Sequence, residues 1–434
     1  MNIVRSIIAN EAAVEKEKLK KLFLSPEGKR EWITHYFQPQ RTALQDFAID
    51  SKTGIKYRNA KKVRELYLEE GTYFLKSKIE APGPEEEKEM IYEPPPDLRN
   101  RPQSTHPLSN TKAIPPWWKK VYSRNAKKIM AATWKDLLQD TTIEVKQTVQ
   151  NCKKNKAAGH DGVDTNLLQM LTSSNGPLAE ILSILINVSF ARGKTLPSWR
   201  KAVITLIPKR KDDGSLTDNL KEMRPISVLQ EFGKIASKIL AERWGAILLK
   251  HPSIMTSAQR AFLKDGNVHQ CIATALNVFE DFQERRQIDK QLFVLSYDQE
   301  KAYDSVQDFT IKASLERFNM PHPFITYILS NLENATSCFK THFGLTEEFK
   351  VETSVRQGDP LSPLVYICVV DALHEGWKNN PLYGTRTGYT FTNARDDRIH
   401  WLCWCHDLRF QLGGNMADAP MDQRVLQSSW FQNK

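Results

Sequence analysis

Residues 355–373 read VRQGDPLSPLVYICVVDAL, a polar turn followed by an uninterrupted apolar run. The Ser-Pro pair at the junction has the residue types that open a helix. Gly358 lets the backbone approach a ligand closely, and Arg356 and Gln357 beside it are suited to bond one. The stretch therefore predicts an apolar core helix that is preceded by a ligand-facing loop.

A second polar turn lies upstream, in LFVLSYDQEKAYDSV at residues 292–306. The apolar part predicts a buried strand that ends at Asp298, and Asp304 follows after a short turn. A carboxylate at the end of a core strand, facing a cleft, is a frequent metal-binding arrangement. The alternative is an aspartate that only caps the next turn.

Between the N-terminus and these segments the hydrophobic period changes several times. VITLI at 203–207 and RPISVL at 224–229 predict a strand and a return strand around the basic turn KRKDDGS. The residues 232–248 and 266–285 have helical spacing. NAKKVRELYLEEGTYFLKSKI at 59–79 predicts a charged, solvated helix.

Composition limits the class of protein. The 434 residues carry 61 Lys and Arg against 51 Asp and Glu, a net charge of +10, which favours a polyanionic partner. No segment predicts a membrane span or a secretory signal. The 6 cysteines are scattered, which is typical of a reducing compartment. We therefore expect an intracellular protein, nuclear or cytoplasmic, that is not secreted and has no membrane partner.

Taken together, the segments resemble the reverse transcriptase domain of non-LTR (LINE-like) retrotransposons, with group II intron maturases as a related group. KNKAAGHDGV at 154–163 resembles a finger block, and the hairpin ending in RPIS resembles the next. QRAFLKDGNVHQCI at 259–272 resembles the block after that, with Ala261 where the family has glycine. LSYDQEKAYDSV and VRQGDPLSPLVYICVVDAL resemble the first two palm motifs. The blocks follow the family's order and span residues 133–377.

The resemblance implies an α+β fold, with the fingers and palm of a right-hand polymerase and an antiparallel palm sheet. It divides the chain into a charged helical N-terminal extension (1–92), a Pro-rich linker (93–118), a fingers region (119–290), a palm region (291–410) and a C-terminal tail (411–434). The helical thumb that grips the duplex is expected to be missing.

The resemblance also implies a two-metal nucleotidyl transfer site. Asp298 and Asp407 are the expected catalytic residues and ligands of two Mg²⁺ ions, whereas Asp304 is expected to be structural. The expected nucleotide-binding residues are Tyr303, Arg224, Lys209, Gln357 and Gly358. The expected partners are an RNA template, a DNA primer and deoxynucleoside triphosphates, with the Tyr303 ring selecting the deoxy sugar.

The third palm motif departs from the family in RIHWLCWCHDLRFQLGG at 398–414. The best alignment puts Trp404 on the family's aromatic residue, Asp407 on its second aspartate and His406 on its first, which ligates both ions. Neutral imidazole is a poor Mg²⁺ ligand. Asp396 and Asp397 are the alternative acidic pair, although no apolar strand precedes them.

The same segment contains H-x2-C-x-C-H at 400–406, a possible zinc cluster. Four ligands within seven residues do not easily surround one ion, so no zinc is expected. The leading interpretation is a truncated reverse transcriptase fragment whose activity is impaired or absent. The alternative is a catalytically dead, nucleic-acid-binding relic of the same fold, and an intron maturase is a more distant one.

Overall fold

Helices and short strands alternate along the part of the chain that the structure, a computed structural model, describes. The described residues are 44–72, 75, 116–173, 177–211, 213–284, 292–297, 302–304, 306–351, 355–379, 389–390, 398–399, 401–404 and 408–414. The chain divides into the units Met1–Gln45 and Asp46–Lys434, and every element below lies in the second.

The helices in this part of the chain are α1 (Ala60–Gly71), α2 (Pro116–Tyr122), α3 (Thr142–Gln150), α4 (Thr165–Ser173), α5 (Leu178–Arg192), α6 (Glu231–Lys250), α7 (Val268–Glu284), α8 (Asp308–Arg317), α9 (His322–Leu332) and α10 (Ser362–Lys378). The strands are β1 (Ala48–Ile49), β2 (Lys56–Tyr57), β3 (Lys201–Ile207), β4 (Arg224–Leu229), β5 (Leu292–Tyr297), β6 (Thr336–Thr341), β7 (Gly344–Leu345), β8 (Phe349–Lys350), β9 (Tyr389–Thr390), β10 (Arg398–Ile399), β11 (Trp401–Trp404) and β12 (Leu408–Gly414).

The predicted basic hairpin is present and forms one edge of a mixed sheet. β3 and β4 pair antiparallel, with Ile207 opposite Arg224. β6 joins the other side of β3 in parallel, with Val203 opposite Cys338. The sheet order is β4-β3-β6-β7, and β8 also pairs with β6. The β-branched residues of β3 favour the hairpin, but no local pattern predicts the parallel partner, since β6 lies more than a hundred residues away.

A second sheet is antiparallel throughout and has the order β11-β12-β5. β11 and β12 form a hairpin in which Trp404 pairs with Leu408. β12 then pairs with β5, from Arg409 opposite Tyr297 to Gly414 opposite Leu292. This pairing brings the two ends of the predicted palm region side by side.

The main core lies among the helices. α10 begins at Ser362, as the sequence predicts, and its apolar run from Val365 to Val370 is 0–3 % exposed. Large side chains from other helices meet it, including Trp244 and Phe324, whose rings contact edge to face with centroids 5.3 Å apart. Burying one such side chain stabilises the fold by roughly 1.5–3 kcal/mol. Within the described residues, no helix is long and apolar enough to cross a bilayer.

Helix α1 was predicted correctly as a helix, but its surroundings differ from the prediction. The side chain of Asn59 caps it by accepting from the backbone N–H of Lys61 at 3.0 Å. Val63, Leu66 and Tyr67 are buried, and they join a core cluster with residues of β3 and β6 such as Phe339. The helix is therefore solvated on one face only, because its apolar residues repeat at the spacing of a helix that covers a sheet.

Candidate active site

The two aspartates expected to be catalytic flank a pair of hydrogen-bonded strands. β5 ends at Tyr297, one residue before Asp298, and β12 begins at Leu408, one residue after Asp407. The register puts Tyr297 opposite Arg409. Asp298, Asp407 and His406 themselves lie outside the described residues. The sheet nevertheless brings the chain positions next to both acids to the same end of two adjacent strands.

The rival acidic pair precedes a different strand. Asp396 and Asp397 lie outside the described residues, directly before β10. Among the described strands, β10 pairs with β9 in a separate two-stranded sheet. The β11–β12 hairpin, by contrast, pairs directly with β5. Among the described strands, β5 therefore lies next to the strand that follows residues 404–407 and is not paired with β10. His400 and His406 of the possible zinc cluster also lie outside the described residues.

The loop before α10 is held against β4 by its backbone. The Ser227 N–H donates to the Gln357 carbonyl oxygen at 2.7 Å. Gly358 has φ +123°, and a Cβ there would lie 2.3 Å from the Ser227 carbonyl oxygen. Glycine is therefore required at this position by both its backbone conformation and the close approach of β4. The predicted ligand-facing loop is thus joined to the strand that also carries Arg224.

The same loop contacts the turn after β5. The Gln357 side-chain Nε2 donates to the Asp304 carboxylate, 3.2 Å from Oδ2, and the Val355 N–H donates to the Tyr303 carbonyl at 3.0 Å. Asp304 is buried, with 6 % of its surface exposed, in agreement with a structural role. Two segments that are some fifty residues apart therefore meet at the expected nucleotide site.

Tyr303 is fixed by stacking. Its half-buried ring lies almost parallel to the buried ring of Tyr366 on α10, with a centroid distance of 4.8 Å and an angle of 13° between the planes. An offset stack of this kind adds about 0.5–1.5 kcal/mol beyond the area that it buries. Helix α10 therefore sets the position of the aromatic residue expected beneath the sugar.

The two expected triphosphate ligands share the outer end of the β3–β4 hairpin. Arg224 is the first residue of β4 and pairs with Ile207, two positions before Lys209. Both side chains are exposed. Arg224 and Ser227 lie on one strand, about 10 Å apart at the usual rise of a strand. The basic end of the hairpin is thus connected rigidly to the loop at Gln357.

Arg356, which the sequence suggests as a ligand-bonding residue, is instead buried beneath the loop. It is 3 % exposed, and its Nη2 donates to the backbone carbonyl of Arg200. Burial lowers the pKa of Arg356 to about 10, opposed by the nearby Asp359 carboxylate. Burial also raises the pKa of Asp359, which accepts from the Leu361 N–H at 2.9 Å and from Asn331 at 3.1 Å. These groups support the loop from inside.

A buried ionic cluster, which sequence reasoning missed, supports α10 further along. Asp371 is 0 % exposed and lies 2.7 Å from Arg317 of α8 and 3.3 Å from Lys127. Its other oxygen accepts from the Thr256 N–H at 2.6 Å. Burial pushes the pKa of Asp371 upward, but Arg317 and Lys127 outweigh it and hold that pKa below its usual value. The only sequence feature that could have indicated this cluster is an acidic residue within the apolar run of α10.

The basic runs expected to contact nucleic acid differ in exposure. Lys153, Lys154 and Lys156 follow α3 and are exposed, as are Lys209 and the two basic residues after it. Lys127, by contrast, is not exposed to a nucleic-acid partner. Its side chain is 12 % exposed and also pairs with Glu375 at 3.2 Å. Within the described residues, no group of three or more His, Cys, Asp or Glu side chains forms a metal site.

Comparison with known proteins shows the class of this domain. Residues 207–401 match the family described as reverse transcriptase (RNA-dependent DNA polymerase). The chain is 28 % identical over 257 residues to the "Retrovirus-related Pol polyprotein from type-1 retrotransposable element R2" of Popillia japonica, covering 59 % of this chain and 32 % of that protein. It is 28 % identical over 240 residues to the protein of the same name from Nasonia vitripennis, covering 55 % and 21 %.

A third relative is the "Transposon TX1 uncharacterized 149 kDa protein" of Xenopus laevis, at 27 % identity over 239 residues that cover 53 % of this chain and 17 % of that protein. The chain thus spans about a third or less of the length of these curated relatives. The matches define a nucleic-acid polymerase domain, and the mixed helices and sheets are consistent with it. The chain carries a reverse transcriptase domain of the non-LTR retrotransposon type.

Proposed function

We propose that this domain performs RNA-directed DNA synthesis at the end of the β5–β12 strand pair. The observation that carries the proposal is the pairing of Tyr297 with Arg409, which sets the positions beside Asp298 and Asp407 on adjacent strands. In the reaction, the 3′-hydroxyl oxygen of a DNA primer attacks the α-phosphorus of a deoxynucleoside triphosphate. A new P–O bond forms, the bond to the pyrophosphate oxygen breaks, and the hydroxyl proton passes to water.

The donor set fits divalent metal ions, which the family uses. Asp298 and Asp407 provide carboxylate oxygens, the ligand type that Mg²⁺ prefers. Bound Mg²⁺ would polarise the phosphate and stabilise the charge that develops on the attacking and leaving oxygens. His406 is the exception in this set, since imidazole suits softer ions better. The proposed Mg²⁺ ligands are therefore the two aspartates alone.

The remaining residues bind and orient the substrates in this proposal. Arg224 and Lys209 hold the triphosphate from the fingers hairpin, since a guanidinium pairs with two phosphate oxygens at once. Tyr303, held by its stack on Tyr366, lies under the sugar and disfavours a ribose 2′-hydroxyl. Gln357 and Gly358 contact the incoming nucleotide or the template. Holding the reactants in this geometry supplies a large part of the rate enhancement.

Primer extension tests the proposal. The substrate is a DNA primer annealed to an RNA template, with deoxynucleoside triphosphates and Mg²⁺. The proposal predicts that the parent chain extends the primer and that Asp298→Asn abolishes extension. Asp213→Asn is the control and should keep extension, because Asp213 lies in the exposed hairpin turn. Activity that survives Asp298→Asn would show that the proposed site is wrong.

A second candidate function is nucleic-acid binding without turnover, and His406 is the observation that favours it. A histidine at the position of the bridging carboxylate removes a ligand shared by both ions, which should cost several kcal/mol of transition-state stabilisation. His406→Asp separates the two functions. If the parent chain binds primer–template without extending it and His406→Asp extends it, the parent chain is a binding protein. If both extend equally, His406 does not occupy the bridging position.

A further inference from the structure

Helix α5 is apolar on both of its faces. Its inner face packs into the core through Leu182, Ile186 and Phe190, which are 0–1 % exposed. Its outer face carries four large apolar side chains that are 41–61 % exposed: Ile181, Ile184, Leu185 and Val188. A helix that is apolar all round is normally covered on all sides. Among the described residues, the outer face of α5 has no such cover.

The exposed apolar surface continues onto the neighbouring helices. α4 contacts α5, and both contact α3. α4 adds Leu167, Met170 and Leu171, which are 40–63 % exposed, and α3 adds Ile143, which is 79 % exposed. An apolar surface of this extent on a folded domain typically marks a contact with another protein.

The charge of this surface excludes the nucleic acid that the rest of the chain attracts. α4 contains no charged residue, and α5 and α3 each contain one residue of each sign, Glu180 and Arg192 in α5 and Glu144 and Lys146 in α3. The chain as a whole has a net charge of +10. Electrostatic attraction of a nucleic-acid backbone depends on basic side chains in excess of acidic ones. An occupant of this surface must instead be apolar, with one acidic and one basic group at its margins.

We propose that the occupant is a second copy of this chain, with the two α5 helices packed antiparallel about a two-fold axis. Glu180 and Arg192 are both exposed and lie six residues before and six residues after Ile186, about 9 Å along the helix in each direction. An axis level with Ile186 therefore sets Glu180 and the partner subunit's Arg192 at the same level along the paired helices, near the two edges of the outer face. The same axis sets Ile184 opposite the partner subunit's Val188. The charged ends and the apolar centre of the outer face of α5 are thus self-complementary, as a two-fold interface requires.

The size of the surface predicts a weak, reversible dimer. A standard stable interface buries roughly 800 Å² on each partner. One exposed helix face with the edge of a neighbouring helix lies at the small end of that range, so we expect a dissociation constant on the order of micromolar. The surface shares no residue with the candidate active site, so the dimer does not depend on the proposed polymerase function.

Sedimentation velocity on the full 434-residue chain tests the dimer. We expect a reversible, concentration-dependent shift from the mass of one chain to that of two. Ile184→Asn should weaken association at least tenfold, because it inserts an amide into the apolar centre of the interface. Leu345→Asn is the matched control, since Leu345 is 44 % exposed but lies on β7 of the mixed sheet, and it should leave association unchanged.

Exchanging the charges of Glu180 and Arg192 tests the antiparallel geometry. Glu180→Arg and Arg192→Glu should each weaken the dimer, because each sets like charges at the same level at both ends of the paired helices. The double variant should restore it, with thermal unfolding confirming that all three variants fold. A monomer at every concentration, association that Ile184→Asn does not change, or a double variant that fails to recover would each overturn the proposal.

Discussion

The side-chain amide of Gln357 donates to the carboxylate of Asp304, with Nε2 3.2 Å from Oδ2, and this contact joins two segments that the sequence separates by 53 residues. One segment is the turn after β5, and the other is the loop that precedes helix α10. The contact therefore holds the loop and the turn together.

The first prediction concerns the donor in this contact. Gln357→Glu sets a second carboxylate beside the buried Asp304, and we expect a loss of about 1–3 kcal/mol in the free energy of unfolding at neutral pH. The two carboxylates repel each other, and Asp304 loses the amide donor. Urea unfolding at pH 7.5 measures the loss.

The control for this prediction restores the contact with its polarity reversed. Adding Asp304→Asn to Gln357→Glu supplies an amide donor for the new carboxylate, so stability at neutral pH should recover. A Gln357→Glu variant that matches the parent chain at pH 7.5 would contradict the contact.

The second prediction concerns the contact between the loop and β4. Gly358→Ala would set a Cβ 2.3 Å from the Ser227 carbonyl oxygen at φ +123°, so the loop and β4 must separate. We expect a loss of about 2–4 kcal/mol in unfolding free energy, from backbone strain plus a steric clash. Gly214→Ala is the matched control, since Gly214 also has a positive φ, of +80°, but an added Cβ meets nothing within 4 Å. Comparable losses for the two variants, measured by thermal unfolding, would argue against a close approach of β4.

The third prediction concerns the buried acid of α10. Asp371→Asn leaves Arg317 buried without its counter-charge, which typically costs about 3–5 kcal/mol. Because the pKa of Asp371 is lowered in the folded chain, its stabilising effect is complete above the unfolded value of about 4 and is lost as the pH falls through the folded value. The stability difference between parent and variant, measured by urea unfolding, should therefore be large at pH 7 and shrink below about pH 4.

The control for Asp371 is an acid whose pKa is also lowered but which lies at the surface. Asp213 accepts from the Ser215 hydroxyl at 2.6 Å in the exposed hairpin turn. Hydrogen bonds from Ser215 lower the pKa of this exposed carboxyl. Asp213→Asn should therefore leave the unfolding free energy almost unchanged between pH 7 and pH 3, since no buried charge loses its partner. An equal effect of both variants would show that Asp371 is not the buried partner of Arg317.

Local sequence patterns were sufficient to predict the elements that depend on neighbouring residues. The β3–β4 hairpin, the start of α10 at Ser362 and the helix after Asn59 all follow from turn residues, caps and hydrophobic period. The motif order also predicts Gln357 and Tyr303 at one site, and the structure shows their two segments in contact. These features are encoded within short windows, where the periods of helices and strands differ clearly.

Contacts between distant segments could not be predicted in the same way. The parallel pairing of β3 with β6 depends on two strands that compete with many alternative partners. Arg356 lies next to Gln357 and has the chemistry of a ligand-binding residue, yet it is buried, and its guanidinium donates to the backbone carbonyl of Arg200, 156 residues away. Asp371 gave no indication of its partner, since Arg317 is 54 residues away.

The last prediction concerns the exposed basic residues of the β3–β4 hairpin. Binding of a primer–template duplex should weaken linearly on a log–log plot as salt rises, with a slope of about −0.7 to −0.9 for each phosphate neutralised. Lys209→Gln and Arg224→Gln should each make that slope shallower by about 1, because each removes one phosphate contact. Fluorescence anisotropy over a range of salt concentrations measures the slope. Lys264→Gln is the control, since Lys264 already pairs with Glu242 at 2.9 Å, and it should leave the slope unchanged. Binding that is independent of salt, or equal slopes for all three variants, would show that the hairpin does not contact the phosphates.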